Sequence, residues 1–257
     1  MIRLIVSLIW TTLAMIVSLP AHWRWKHIAK THPEISWKKA RKLIRFFFRG
    51  LIRLAGTRLE VRGAENIPDT ATLFVGNHQS YFDIIIMQTL SKTPIGFVAK
   101  KEFKSYPLLP LYMEDMGSIF LDRDNVRESL KTINEGTERM GKGLSLGLYP
   151  EGTRNHGEKL LPFKAGGYRM AEKSDSPMVL MAATNFGKIF EENRFHFIRS
   201  RHVIIEFDKP VYPGRMSKDE RKAFYDSIPD RIQAMLDVHK KDLLAEQYAK
   251  KKVRKTP

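Results

Sequence analysis

Cysteine is absent from the 257 residues of this sequence. Its absence excludes disulfide bonds, thiolate metal sites and a cysteine nucleophile. Acidic residues are scarce relative to basic ones: 28 Asp and Glu stand against 44 Lys and Arg, which gives a formal net charge of +16. An excess of this size predicts a polyanionic partner, either a nucleic acid, an anionic lipid surface or a phosphorylated substrate.

The N-terminal segment, residues 2–19, is apolar and carries a single charge, Arg3. Its length is near the lower limit for a helix that crosses a bilayer. We expect Pro20 to end this helix, and the tryptophans and basic residues at 22–27 to lie among lipid headgroups. A secretory signal peptide is the weaker alternative, because Leu19 occupies the −3 position of a cleavage site after Ala21.

Residues 37–55 have the period of an amphipathic helix. One face is basic and the opposite face is apolar; the basic residues are Lys38, Arg41, Lys42, Arg45, Arg49 and Arg53. Such a helix is expected to lie in the plane of an anionic membrane, although a helix packed on a protein core needs the same period. Nucleic acid is disfavoured as a partner, because the aromatic side chains lie opposite the basic face instead of among it.

From residue 57 onward, short β-rich runs alternate with helical stretches. The predicted strands are 58–61, 72–75, 96–99, 118–121, 144–149, 177–182 and 202–207. The predicted helices are 83–89, 125–141, 166–174 and a final helix that starts at a Ser217–Glu220 capping box, breaks near Pro229 and resumes to residue 240. This alternation predicts the α/β class: a mixed, mostly parallel central sheet flanked by helices, preceded by an N-terminal membrane-associated helical segment. The chain then divides into a membrane anchor at 1–56, an α/β domain at 57–245 and a basic C-terminal tail at 246–257.

Two motifs follow strand-like runs. In the first, NHQSYFD, the Asp83 carboxylate can accept a hydrogen bond from one nitrogen of His78 and leave the other free as a base. On spacing alone, such a pair is more often structural. The second motif, YPEGTR, offers a hydroxyl at Thr153 and a guanidinium suited to phosphate at Arg154. We expect Glu151 either to orient Arg154 or to cap a following helix, and the plain alternative is a turn before that helix.

NHQSYFD resembles the NHx4D block of the glycerolipid acyltransferase family, and YPEGTR resembles its F/Y-P-E-G-T-R block. Segments 100–103, 117–123, 161–166 and 177–179 resemble the family's other blocks, so the resemblance covers about residues 60–185 in order. It implies that His78 and Asp83 form the catalytic pair. It also implies an acceptor-phosphate site that is formed by Glu151, Gly152, Thr153, Arg154, Lys100, Lys101 and Arg123.

The resemblance implies transfer of a fatty acyl group from acyl-CoA or acyl carrier protein to the sn-2 hydroxyl of lysophosphatidic acid. Another lysophospholipid, a lyso-aminolipid or glycerol-3-phosphate is the alternative acceptor, and a non-catalytic lipid-binding protein is the alternative of a different class. We expect no metal and no other cofactor, and an anionic phospholipid membrane as partner but no nucleic acid. The expected location is the inner membrane, with the catalytic domain on the cytoplasmic side. Backbone N–H groups of residues 78–80 are the expected donors to the reaction's oxyanion, and Ser80 is expected to cap a helix.

Overall fold

The computed structural model describes residues 1–122, 126–157 and 159–253. Its helices are α1 (Ile2–Ala29), α2 (Pro33–Ala55), α3 (Tyr81–Leu90), α4 (Leu109–Asp115), α5 (Val126–Gly141), α6 (Arg169–Lys173) and α7 (Lys218–Val253). Its strands are β1 (Arg58–Arg62), β2 (Leu73–Gly76), β3 (Ile95–Lys100), β4 (Ile119–Leu121), β5 (Ser145–Leu148), β6 (Met178–Thr184) and β7 (His202–Phe207). Each predicted strand is present, with its bounds shifted by no more than two residues.

The seven strands form one sheet in the order β1-β7-β6-β2-β5-β3-β4. All neighbouring pairs are parallel except β6 and β7, so the predicted mixed, mostly parallel sheet is confirmed. Side chains alternate along each strand, and in β2 Phe74 faces a core shared with α3, whereas Leu73 and Val75 face a core shared with α5, α6 and α7. The sheet is therefore covered on both faces, as a mostly parallel sheet requires.

Helices α1 and α2 run antiparallel to each other along their whole length. The Arg3 guanidinium donates to the Ala55 carbonyl at 3.0 Å, the Trp10 indole donates to the Phe47 carbonyl at 2.8 Å, and Ser36 donates to the Trp25 carbonyl at 3.1 Å. The α1 helix is long and apolar enough to cross a membrane. Much of its apolar surface is exposed, including the side chains of Ile2, Ile5, Leu8, Ile9, Leu13, Ile16 and Val17.

Two prolines do not end the helices in which they lie, which corrects our expectation for each. Helix α1 continues through Pro20 because His22 and Trp25, in the next turn, are buried. Helix α7 continues through Pro229, where an interior proline costs about 3 kcal/mol. The fully buried side chains of Ile228 and Ile232, on either side of it, offset that cost at about 2 kcal/mol each.

Helix α7 starts at the predicted capping box, in which the Ser217 N–H donates to Glu220 at 2.8 Å. It runs past the predicted end at residue 240 and into the predicted tail as far as Val253. Beyond residue 240, Asp242 pairs with Arg62 at 2.8 Å and Glu246 pairs with His202 at 2.7 Å. These contacts hold the C-terminal half of α7 against the edge strand β1 and its neighbour β7.

Helix α4 attaches the N-terminal helix pair to the α/β domain. The Asp115 carboxylate accepts from Nδ1 of His22 at 2.8 Å, and both side chains are almost fully buried. The Tyr112 hydroxyl donates to the Met15 carbonyl at 2.5 Å. Burial raises the pKa of Asp115 to about 6, although the hydrogen bond with His22 opposes that shift.

Candidate active site

His78 and Asp83 are brought together at the carboxyl end of β2. Asn77, the residue before His78, is buried and exchanges two hydrogen bonds with the backbone of Ala183 on β6, at 2.9 and 2.8 Å. This anchor fixes the point where the chain leaves the sheet. His78 then donates through Nδ1 to Oδ2 of Asp83 at 2.6 Å. The His78 side chain is one-fifth exposed and the Asp83 side chain is buried, so the other ring nitrogen is the accessible part of the pair.

Asp83 is also part of the capping box that starts α3. Its Oδ2 atom accepts from the N–H groups of Gln79 at 2.7 Å and Ser80 at 2.9 Å, and the Ser80 hydroxyl accepts from the Phe82 N–H at 3.0 Å. Ser80 is therefore the helix cap that we expected. The carboxylate that orients His78 is held in place by the helix terminus itself.

The expected oxyanion donors are wrong. The N–H groups of residues 79 and 80 both point at Asp83, and the N–H of His78 donates to the Glu151 carboxylate at 3.0 Å. All three are used by carboxylates within the protein. The tight turn that brings Asp83 back to His78 uses these N–H groups to fold, which leaves none of them to bind a reaction intermediate.

Tyr149 holds the plane of the imidazole ring. Its ring is stacked on His78, with the ring centroids 4.3 Å apart and an angle of 16° between the planes. Phe97 stacks on the far side of Tyr149 at 6.3 Å. Burial raises the pKa of the Tyr149 phenol well above its ordinary value, so the ring stays neutral at physiological pH. The stack therefore restricts rotation of His78 without adding a charge beside it.

Glu151 joins the two motifs. One carboxylate oxygen accepts from the His78 N–H, and the other accepts from the Asn155 amide at 2.7 Å and from the Leu161 N–H at 3.0 Å. The Asn155 N–H in turn donates to the His78 carbonyl at 2.7 Å. Glu151 thus orients the loop at His78. We had expected it either to orient Arg154 or to cap a following helix, and it does neither. Gly152 has φ 75°, a left-handed conformation that favours glycine.

Arg154 is oriented by a residue that the sequence did not single out, Glu191. The guanidinium lies 3.3 Å from the Glu191 carboxylate and 4.1 Å from the centre of the Tyr81 ring. The same carboxylate, which is buried, accepts from the Ser80 hydroxyl at 2.7 Å and from the Tyr81 N–H at 2.8 Å. Glu191 therefore connects the start of α3 to Arg154. No pattern in the sequence marks it, because its partners are more than 35 residues away along the chain.

The predicted acceptor residues are only partly brought together. Four of them, Lys100, Glu151, Gly152 and Thr153, line one cleft of about 280 Å³, together with Glu102 and Lys164, which we had not assigned. An apolar cleft adjoins it and shares Leu121, Gly152 and Lys164 with it; its other walls include Val98, Ile133, Leu148 and Met170. Arg154 is not among the residues that line either cleft.

Of the two remaining predicted acceptor residues, Lys101 is not among those that line this cleft. Lys101 pairs with Asp122 at 2.7 Å. Arg123 lies outside the described residues. Within the part of the chain that the structure describes, no group of three or more His, Asp and Glu side chains is arranged to hold a metal ion.

Comparison with known proteins identifies a family and a fold. The acyltransferase family model matches residues 58–184. The 1-acyl-sn-glycerol-3-phosphate acyltransferase of Helicobacter pylori is 31% identical over 183 residues, which cover 70% of this chain and 73% of that protein. The enzyme of the same name from Saccharomyces cerevisiae is 29% identical over 191 residues, covering 73% of this chain and 63% of the yeast protein.

The chloroplastic 1-acyl-sn-glycerol-3-phosphate acyltransferase BAT2 of Brassica napus is 31% identical over 160 residues, covering 62% of this chain and 46% of the plant protein. This chain thus spans less than two thirds of the yeast and Brassica proteins. Among solved structures, the 1-acyl-sn-glycerophosphate (LPA) acyltransferase of Thermotoga maritima superposes with a TM-score of 0.65 at 22% identity, covering 90% of this chain and 96% of that one. The fold is therefore shared along nine-tenths of this chain.

Proposed function

Because this chain belongs to the acyltransferase family, we propose that it transfers a fatty acyl group from a thioester donor to the hydroxyl group of lysophosphatidic acid, giving phosphatidic acid. The observation that carries the proposal is the 2.6 Å hydrogen bond between His78 and Asp83 at the carboxyl edge of the sheet. The names of the relatives support lysophosphatidic acid as the acceptor. Another lysophospholipid, a lyso-aminolipid or glycerol-3-phosphate remains the alternative acceptor.

The chemistry needs a base, because an alcohol attacks a thioester poorly while it keeps its proton. The acceptor hydroxyl oxygen bonds to the thioester carbonyl carbon as Nε2 of His78 takes the hydroxyl proton. Asp83 holds the Nδ1–H and stabilises the imidazolium that forms. The carbon–sulfur bond then breaks, and the thiolate leaves with the proton from His78. The products are the acylated acceptor and a free thiol, with His78 restored to its neutral form.

Substrate binding is assigned to the clefts beside Gly152. Lys100 and Lys164 are the basic side chains of the polar cleft and are proposed to bind the acceptor phosphate. The cleft also contains Glu102 and Glu151, and the Glu151 carboxylate is held by three hydrogen bonds within the protein. Arg154 lines neither cleft and is proposed as a second phosphate contact because of its place in the YPEGTR motif. To reach the substrate it exchanges part of its contact with Glu191. The adjoining apolar cleft suits a hydrocarbon chain. The donor is proposed to be acyl-CoA or acyl carrier protein.

The N-terminal helix pair is proposed to lie in one leaflet of the inner membrane, with the α/β domain on the cytoplasmic side, where both kinds of donor are found. The antiparallel packing supports an in-plane position, because α2 accompanies α1 between residues 3 and 25 of α1. If α1 crossed the bilayer, four arginines of α2 would enter the hydrocarbon at a cost of about 10 kcal/mol in total. In the plane, their charged face meets lipid headgroups and the apolar face of α1 meets acyl chains.

The test is an assay of the full chain purified in detergent, with acyl-CoA or acyl carrier protein and lysophosphatidic acid, that follows the diacyl product. His78→Ala should lower kcat by at least about 100-fold, the smaller end of general-base effects. His156→Ala is the matched control, since His156 lies in the loop after Arg154, is exposed and should leave turnover unchanged. If His78→Ala keeps more than a tenth of wild-type turnover, His78 is not the base.

Two further outcomes of the same assay decide between the alternatives. A panel of acceptors, run at equal concentration, identifies the acceptor by the highest kcat/KM. Binding of lysophosphatidic acid without turnover, for every donor supplied, would support the non-catalytic lipid-binding alternative.

A further inference from the structure

A groove lined by arginines runs along the N-terminal helix pair. The Trp10 ring of α1 lies against Gly50 of α2 so closely that a Cβ at residue 50 would overlap the indole. Beside this contact lies a cavity of about 540 Å³, whose four arginines are spaced four residues apart on α2. We call this cavity the arginine groove; the residues that line it are Trp10, Arg41, Lys42, Arg45, Phe46, Arg49, Gly50 and Arg53.

The charge of the arginine groove is not balanced by the helices that form it. Helix α1 contains no Asp or Glu, and the one acidic residue of α2, Glu34, contacts His32 at 3.4 Å. Burial lowers the pKa of the Arg41 and Arg45 guanidinium groups, and the positive charge of Arg49 lowers both further. Positive charges held this close repel one another, and an anion in the groove would relieve that repulsion.

The attachment of α2 to α3 explains the positions of only two of the four arginines in the groove. Arg41 donates to the Ser91 carbonyl at 2.6 Å and Arg45 donates to the Thr89 carbonyl at 2.7 Å, so both bind carbonyls at the C-terminus of α3. A neutral carbonyl does not cancel a full charge. In each of these two arginines the Nε atom is buried and, among the described residues, has no hydrogen-bond partner. The attachment also leaves Arg49 and Arg53 unexplained.

A phosphate group would supply the negative charge and the hydrogen-bond acceptors that the arginines of the groove lack. Guanidinium groups bind phosphate through paired N–H donors, and neighbours at four-residue spacing can share one tetrahedral anion. The groove also has an apolar side: Phe46 lines it and is 61% exposed. Because phosphate alone would gain nothing from an exposed phenyl ring, this combination favours an amphiphile, whose headgroup is anionic and whose chains are apolar.

We infer that the arginine groove is a discrete binding site for the phosphate of an anionic membrane phospholipid, separate from the acceptor site. The separation follows from α3: the groove contacts its C-terminus, whereas His78 precedes its N-terminus. Ten helical residues place these ends about 15 Å apart. The site requires no turnover, so its existence does not depend on the proposed function.

The experiment titrates the full chain, in a nonionic detergent free of phosphate, with dihexanoyl phosphatidylglycerol. This soluble lipid has a phosphodiester headgroup and is neither the proposed acceptor nor its product. Binding is measured by isothermal titration and by tryptophan fluorescence, since Trp10 lies in the groove. We expect saturable binding that is weakened at least about tenfold in the Arg49→Gln/Arg53→Gln variant.

The control is Lys38→Gln/Lys39→Gln, which removes the same charge from the same helix at exposed positions outside the groove. It should change the affinity less than about threefold, because Lys38 and Lys39 do not line the groove and make no direct contact with a phosphate bound there. Gly50→Ala is a charge-neutral test: the displaced indole should narrow the groove and weaken binding without altering net charge. Circular dichroism checks that each variant is folded.

Equal weakening by the two double variants would mean that a diffuse charged surface binds the lipid, and would overturn the site, as would the absence of saturable binding. A parallel titration with inorganic phosphate distinguishes the source of the ligand. If inorganic phosphate alone binds as tightly and shows the same dependence on Arg49 and Arg53, the groove is a site for free phosphate and the lipid assignment is wrong.

Discussion

Replacing Asp83 by asparagine tests the catalytic pair while keeping its geometry. All three hydrogen bonds of the carboxylate converge on Oδ2, from His78, Gln79 and Ser80. The Oδ1 atom is buried and has no hydrogen-bond partner in the described part of the chain. An asparagine can therefore place its carbonyl oxygen at the Oδ2 position, keep all three bonds and direct its amide to the other side. The change that remains is the loss of the negative charge.

The size of the effect follows from Coulomb's law. When His78 takes the acceptor proton, its positive charge lies about 4 Å from the negative charge of the Asp83 carboxylate. Their attraction is worth about 4 kcal/mol at an effective dielectric constant of about 20. Asp83→Asn should therefore lower kcat by about 10³-fold. The KM for the acceptor should stay within about threefold, because the Asp83 side chain is buried and lines neither of the proposed binding clefts. The amide without a partner should lower the free energy of unfolding by about 1–3 kcal/mol.

Glu220 provides the matched control, because it occupies the same position of a capping box at the start of α7 and is far from His78 in the sequence. Glu220→Gln should lower stability slightly and leave kcat unchanged. Initial rates of diacyl product formation give kcat and KM, and urea unfolding gives stability. If folded Asp83→Asn retains kcat within tenfold of wild type, the carboxylate does not stabilise a charged His78, and the mechanism is refuted.

Three other perturbations test the surroundings of the pair. Arg154→Ala should raise the KM for lysophosphatidic acid about tenfold with a smaller change in kcat, because a charge-assisted contact to phosphate contributes about 1.5–3 kcal/mol; an unchanged KM would remove Arg154 from the acceptor site. Glu191→Gln should lower kcat/KM about tenfold through lost orientation of Arg154, and much less in an Arg154→Ala background, whereas Glu192→Gln should have little effect; equal losses from the two glutamate variants would contradict this role. Burial raises the pKa of Asp115 from its ordinary 3.8 to about 6. The folded protein therefore binds the Asp115 proton more tightly than the unfolded chain does, and the stability gained from this is greatest below pH 3.8 and is lost as the pH rises through 6. Between pH 7.5 and pH 5, urea unfolding should therefore show wild type gaining about 1.4 kcal/mol relative to Asp115→Asn, and parallel pH profiles for the two proteins would refute this.

The sheet was predictable because its signal is local. Each strand is a short run of β-branched and apolar residues bounded by turns, and seven such runs became the seven strands. The capping boxes were predictable for the same reason, since their residues lie within one helical turn. The expectation that Pro20 and Pro229 end their helices was wrong because it considered the local cost of proline and not the packing of the helix against the rest of the protein. In α7, the buried side chains of Ile228 and Ile232 stabilise the helix on both sides of Pro229.

In the candidate active site too, contacts between residues close in the sequence were predictable and contacts between distant residues were not. His78 and Asp83 are close in the sequence, and the structure joins them through a turn that the sequence already contains. Glu191 meets Ser80 and Arg154 across intervals that no pattern spans, and the arginines of α2 meet the end of α3 in the same way.

The sequence by itself determined the α/β class, the strand positions, the basic amphipathic helix and the pairing of one histidine with one aspartate. Periodicity and turn chemistry over a few residues carry the first three, whereas the catalytic pairing of His78 with Asp83 was implied by the resemblance of NHQSYFD to a family motif. Only the tertiary structure decided which carboxylate orients Arg154, which N–H groups are left for a substrate and how the arginines of α2 are grouped beside Trp10. Those contacts join residues far apart in the chain, and they depend on the relative positions of packed helices and strands.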